Sequence, residues 1–235
     1  MKEEKKMKIK GLQKLTLLDY PDKVACTVFL GGCNFRCPFC HNASLVLEGR
    51  DGGEITEEEF FAHLEARRGR LSGVCVSGGE PTLQAGLPDF LKKIKDMGYA
   101  VKLDTNGYRP AVLKSLVGAG LVDYVAMDIK NSADGYAATA GIGGMDISPI
   151  LESAAYLMSG VVEFEFRTTV VRELHSVENI RAIGEWLRGD ERFYLQSFKD
   201  SGDLIADGLS AYSEDEMRGL LSELRKYIPK AELRG

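Results

Sequence analysis

Cys33, Cys37 and Cys40 fall within the run Gly31-Gly32-Cys33-Asn34-Phe35-Arg36-Cys37-Pro38-Phe39-Cys40-His41-Asn42, a CxxxCxxC spacing. Thiolates this close in sequence can reach one metal centre, and a fourth is withheld. A cubane iron–sulfur cluster usually takes four thiolates, so a three-thiolate loop leaves one iron open to a small molecule. Structural zinc wants four ligands, usually as two spaced pairs, and the second pair is missing. His41 directly follows Cys40 and is poorly placed to share its ion. Cys26 and Cys75 lie between apolar residues in strand-like runs and read as small buried hydrophobes.

The thiols need a frame. Short apolar, β-rich runs at 24–30, 73–77, 99–104, 123–129, 162–170 and 192–197 alternate with amphipathic stretches. Six such repeats predict an α/β fold whose parallel sheet is wound in one sense. Six units rather than eight predict a partial (β/α)6 barrel, open on one side. Runs 8–16 and 231–234 are candidate extra strands. One domain over 1–235 is expected, with 1–23 as an extension before a 24–235 core.

Helix boundaries are marked. Thr56…Glu59 and Ser213…Glu216 read as capping boxes. Ser148-Pro149 reads as a cap followed by proline at the first helical position, and Gly98 and Gly120 as helix stops. Segment 131–147 carries Gly135, Gly141, Gly143 and Gly144 and is expected to be a loop near the barrel mouth. Trp186 falls on the apolar side of a helix over 177–189. His63 reads as surface and His175 as a loop residue, and neither supports a Ser–His or Cys–His nucleophile.

In parallel β/α folds functional residues gather at the carboxyl ends of the strands. The cysteine loop follows the first of the six runs, and Gly78, Gly79 and Glu80 follow the second. Asp104 and Thr105 end the third, Asp128 and Lys130 the fourth, Arg167 lies in the fifth, and Gln196 closes the sixth. A glycine pair removes side chains where the backbone must approach a ligand, and Glu80 offers a carboxylate suited to an ammonium group. Asp104 and Asp128 could serve as acid and base, bind a cation or hold ribose hydroxyls. Lys130 and Arg167 could neutralise a carboxylate or phosphate, or form salt bridges on the rim. Phe39 could shield a cluster and stack on a flat ligand, or pack the loop.

Composition narrows the field. The chain has 235 residues, 44% hydrophobic and 28% charged, which is ordinary for a globular protein with a sizeable core. Net charge is −5 with no basic tract, which argues against phosphate-driven nucleic-acid binding. The charged start, residues 2–6, is expected to be a solvated, frayed end. No signal peptide and no apolar membrane span are expected. Five cysteines, three of them within eight residues, suit metal better than disulfides and point to a reducing cytoplasm.

The cysteine loop, with an aromatic residue before its last thiol, resembles the radical S-adenosylmethionine (SAM) superfamily. The string ending Cys40-His41-Asn42 is similar to the glycyl-radical-enzyme activases within it. Leu18-Asp19-Tyr20-Pro21, Ser77 to Pro81, Lys102 to Gly107, Val125 to Lys130 and Arg167 to Val170 extend the resemblance to activases of anaerobic ribonucleoside-triphosphate reductase. Asp22 stands where glycine is usual after Asp-Tyr-Pro.

The resemblance implies that Cys33, Cys37 and Cys40 hold a [4Fe-4S] cluster whose open iron is chelated by the amino and carboxylate groups of SAM. Gly78, Gly79 and Glu80 would meet the amino group, and Lys130 and Arg167 the carboxylate. Asp104, Thr105 and Asp128 would line the ligand or a monovalent-cation site, with Gln196 at a ligand-contacting position. It further implies reductive cleavage of SAM to a 5′-deoxyadenosyl radical that takes a glycine Cα hydrogen from a partner glycyl radical enzyme. The electron would come from a flavodoxin- or ferredoxin-type donor. Alternatives are a radical SAM enzyme acting on a small molecule, similar to the 7-carboxy-7-deazaguanine synthases, and a non-catalytic iron–sulfur or zinc module. His41-Asn42 departs from the synthases.

Overall fold

The computed structural model describes residues 7–47, 55–190 and 192–235. The charged start at 2–6 lies outside the described residues.

Eight strands form one sheet in chain order. β1 (Ile9–Thr16) pairs antiparallel with β2 (Ala25–Leu30). From β2 onward every pair is parallel: β3 (Gly73–Gly78), β4 (Ala100–Thr105), β5 (Tyr124–Asp128), β6 (Glu163–Val170), β7 (Phe193–Ser197) and β8 (Glu232–Arg234). β1 and β8 are the two edges, so the sheet is open, as the count of six core repeats predicts. Both candidate extra strands are present.

After the cysteine loop comes a single turn, α1 (Ala43–Val46). The longer crossovers are α2 (Glu57–Ala66), α3 (Leu87–Asp96) and α4 (Pro110–Gly118). Next come α5 (Tyr136–Ala140), α6 (Ser148–Met158), α7 (Val177–Trp186) and α8 (Glu214–Leu224). α3 shows why they pack as they do. Leu87, Phe90, Leu91 and Ile94 recur at helical spacing and are all buried. Each such side chain contributes about 1.5–3 kcal/mol by leaving water. The Thr56 and Ser213 capping boxes form as expected, and Ser176 with Asn179 makes a third.

Several expectations need correction. Ser148 is not a cap: it is the first residue of α6, because the Asp146 carboxylate takes both its N–H (2.9 Å) and its hydroxyl (2.7 Å). Segment 131–147 is not all loop, since α5 lies within it and buries Tyr136, Thr139 and Ala140. The helix expected over 177–189 ends at Trp186, which packs half-buried against the core. His63 is partly covered rather than fully exposed. Asp22 adopts φ 58°, which explains why glycine suits that turn.

Strand alternation sends one set of side chains to the helices and the other to the concave face of the sheet. The concave set is polar: Lys102 and Asp104 from β4, Asp128 from β5, Glu165 and Arg167 from β6, and Arg234 from β8. These groups form a linked ion network within the curl of the sheet.

Candidate active site

A cavity of about 630 Å³ opens at the carboxyl ends of the strands. Its lining includes Cys33, Cys37, Cys40 and Phe39 from the cysteine loop, Gly78 and Gly79 at the end of β3, and Asp104 and Thr105 at the end of β4. Asp128, Lys130, Arg167 and Gln196 complete the expected set. Of the residues singled out in the sequence, Glu80 alone is absent from this wall.

Glu80 is fully buried, and its carboxylate accepts the Thr82 N–H (3.0 Å), the Thr82 hydroxyl, the Thr105 hydroxyl (2.9 Å) and the Asn106 N–H (2.7 Å). With its lone pairs directed inward, the side chain does not face an ammonium group in the cavity, which corrects the sequence expectation. It ties the ends of β3 and β4 together instead. Thr105 reaches the cavity wall, but its hydroxyl proton is spent on Glu80.

The glycine pair also has a different cause from the one expected. A Cβ on Gly79 would lie 2.0 Å from the Gly32 carbonyl oxygen, and one on Gly78, at φ 118°, would lie 2.3 Å from the Leu30 backbone. The close approach is to the strand that launches the cysteine loop. Glu80 N–H donates to Gly32 O at 2.8 Å and Gly79 N–H to Leu30 O at 2.8 Å, which locks the two loops edge to edge.

Opposite the thiols lies the charged floor. Asp104 accepts from Ser77 Oγ (2.9 Å) and Lys102 Nζ (2.8 Å), with Arg167 Nη1 at 3.5 Å. Asp128 accepts from Lys130 Nζ (3.0 Å) and Arg167 Nε (3.0 Å). Burial alone would raise the Asp128 pKa, but the charges of Arg167 and Lys130 hold it well below the carboxylate range. Lys130 and Arg167 are shifted up in spite of burial, by Asp128 and by Asp104 respectively. All four groups are therefore ionised at neutral pH.

Burial pushes the Cys33 thiol up to about 12 and the Cys37 thiol to about 11. Such thiols ionise only when a cation such as iron replaces the proton. The Phe35 N–H points at Cys33 Sγ (3.3 Å), and the Asn106 amide lies 3.9 Å from the same sulfur. Both are donors that favour a thiolate. Among the described residues no three His, Cys, Asp or Glu side chains converge closely enough to hold a single metal ion. The three thiols border the same cavity wall instead, where together they would hold an iron–sulfur cluster.

Two distant segments hold the cysteine loop from outside. The Arg36 N–H donates to Ala140 O at the end of α5 (2.9 Å). From the strap after β7, Asp203 accepts the Ala43 N–H through its carbonyl (3.2 Å) and the Ser44 N–H through its carboxylate (2.9 Å), and the Ala206 N–H donates to Pro38 O (3.0 Å). Ser77, Asn106, Thr169, Lys199 and Arg234 also line the cavity without having been given a role. The first three lie in the strings that carry the resemblance, and all five lie in a strand or within two residues of its carboxyl end.

The model of the radical SAM superfamily matches residues 27–181. This chain belongs to the radical SAM superfamily. A Methanocaldococcus jannaschii protein assigned to the glycyl-radical enzyme activating enzymes is 34% identical over 232 residues, covering 96% of this chain and 95% of its own. The pyruvate formate-lyase-activating enzyme of Clostridium pasteurianum is 30% identical over 187 residues, covering 77% and 76%. These matches place this radical SAM enzyme in the glycyl-radical-activating branch, whose cofactors are a [4Fe-4S] cluster and SAM. SuiB of Streptococcus suis superposes with a TM-score of 0.68 at 14% identity, over 87% of this chain and 47% of SuiB. That likeness is one of fold, and the chain spans about half the length of SuiB. No helix among the described residues is long and apolar enough to cross a membrane.

Proposed function

We propose that this enzyme activates an anaerobic ribonucleotide reductase-like glycyl radical enzyme in the cytoplasm, as one domain over 1–235. The carrying observation is that three thiols of one loop and the Asp104–Arg167–Asp128–Lys130 floor face the same cavity. Cys33, Cys37 and Cys40 hold the cluster, which when bound with SAM supplies a 5′-deoxyadenosyl radical. The rest is the work of the chain. The Gly78–Gly79 backbone meets the amino group of SAM, and Lys130 and Arg167 meet its carboxylate. Asp104 and Asp128 line the ribose or a monovalent cation, with Thr105 beside them. Phe39 and Gln196 bound the nucleoside, and the curl of the sheet excludes water from the reacting bond.

The reading is tested by anaerobic reconstitution followed by dithionite and SAM. The expected products are methionine and 5′-deoxyadenosine, lost in Cys37→Ala. Adding a candidate reductase and a flavodoxin or ferredoxin is expected to yield a glycyl-radical doublet by electron paramagnetic resonance. Cleavage with no radical on any protein partner would redirect the proposal to a small-molecule substrate, and no cleavage at all would overturn it.

A further inference from the structure

His175 contributes nothing to the cavity wall, yet three of the segments that build the site meet on it. The residue is 2% exposed, so it is no passive loop position. Nδ1 lies 3.1 Å from the Val171 nitrogen and 3.2 Å from the Val171 carbonyl oxygen, whereas Nε2 makes the shorter contact, 2.8 Å, to the Lys130 carbonyl, which can only accept. Burial lowers the pKa of the ring, so the imidazole is neutral at pH 7 and has one proton to place. That proton is on Nε2, which donates to the Lys130 carbonyl at 2.8 Å. The imidazole and the Phe39 ring lie 6.4 Å apart between centroids, at 74° between planes. The Lys130 ammonium lies 5.8 Å from the centre of the same Phe39 ring. The Tyr212 hydroxyl then pins the His175 carbonyl at 2.6 Å.

One neutral ring therefore sets the backbone of the lysine that faces Asp128 and lies beside the aromatic residue that precedes Cys40. We propose that His175 is a positioning residue for SAM: its Nε2–H fixes the Lys130 carbonyl, and with it the ammonium that faces both Asp128 and the Phe39 ring. The charged floor and the cysteine loop are thereby held at the separation the cosubstrate needs. This rests on the reading of the cavity as the SAM site. Outer partners of this kind typically change affinity or activity by about 10–100-fold when removed.

Two near-isosteres separate the bonds. His175→Gln keeps an N–H in reach of the Lys130 carbonyl. His175→Asn keeps an acceptor near the Val171 N–H and loses the donor. The dissociation constant for SAM is read on reconstituted holoenzyme from the change in the reduced-cluster resonance, alongside iron per chain and the KM and kcat of SAM cleavage. Asn is expected to raise the dissociation constant and KM about tenfold at unchanged iron content, with kcat within about threefold, and Gln to restore both. Wild-type affinity in the Asn variant, or equal loss in both, overturns the inference and leaves the site reading intact. Wild-type protein that binds no SAM overturns both. Should the Asn variant not fold, Tyr212→Phe takes its place, with a rise of about threefold expected and no rise contradicting the inference.

Discussion

Arg167 donates its Nε–H to Asp128 at 3.0 Å while its Nη1 lies 3.5 Å from Asp104, so one guanidinium joins carboxylates at the ends of adjacent strands. Replacing it with methionine leaves two partly buried carboxylates with one lysine each. A loss of about 1–3 kcal/mol is expected, read as a lower denaturant midpoint. Arg167→Lys is expected to recover less than half of it, because an ammonium cannot span both carboxylates as a fork does.

The same pairing fixes the sign of an acid dependence. The Asp128 pKa is depressed on folding from an ordinary value of 3.8, so its contribution is complete above that value and is lost as pH falls from there towards the lower folded value. The urea midpoint is expected to fall below about pH 4, and Asp128→Asn to flatten that fall. A variant with an acid limb as steep as wild type would assign the effect elsewhere.

Glu80→Ala would strand four donors in a dry site, two of them backbone N–H groups. At least about 3 kcal/mol is expected to be lost, with weaker SAM binding because the preceding glycines lose their anchor. Glu80→Gln keeps one acceptor oxygen and should lie between. Equal SAM affinity in all three proteins would show that the tie between β3 and β4 is dispensable for binding.

Gly79→Ala is expected to displace the cysteine loop, since its methyl would overlap the Gly32 carbonyl. Failure to take up iron is the readout. Gly98→Ala is the control: it has φ 89° with open space around it, so only about 1 kcal/mol is at stake and iron uptake should be normal.

Asp203→Ala removes the carboxylate that accepts the Ser44 N–H from across the chain. The stability cost is expected to be about 1 kcal/mol, as for a lost helix cap. Iron release to a chelator under anaerobic conditions should quicken several-fold, because Asp203 braces the loop bearing all three thiols. Unchanged release would mean that the strap does not restrain the cluster.

The core strands could be read from sequence to within about two residues, because each is a short apolar run bounded by turn residues. The cysteine loop was equally legible, since its chemistry lies in residue type and spacing. Glu80 was misread because a carboxylate beside two glycines looks the same whether it points into a cavity or back into the fold. His175 was passed over for a related reason: its partners, Lys130, Val171, Phe39 and Tyr212, span much of the chain. The ion network was hidden by strand parity. Lys102 and Glu165 look like surface charges in a one-dimensional run, and only the curl of the sheet turns them inward.

Strands laid side by side in chain order, with the first reversed, leave the first and last strands unpaired with each other among the described residues. A closed ring of strands has a fixed girth. Here no ladder joins the first strand to the last, so ring closure fixes no girth for the sheet. What keeps the carboxylates of neighbouring strands in place is therefore the ion pairs that cross between strands.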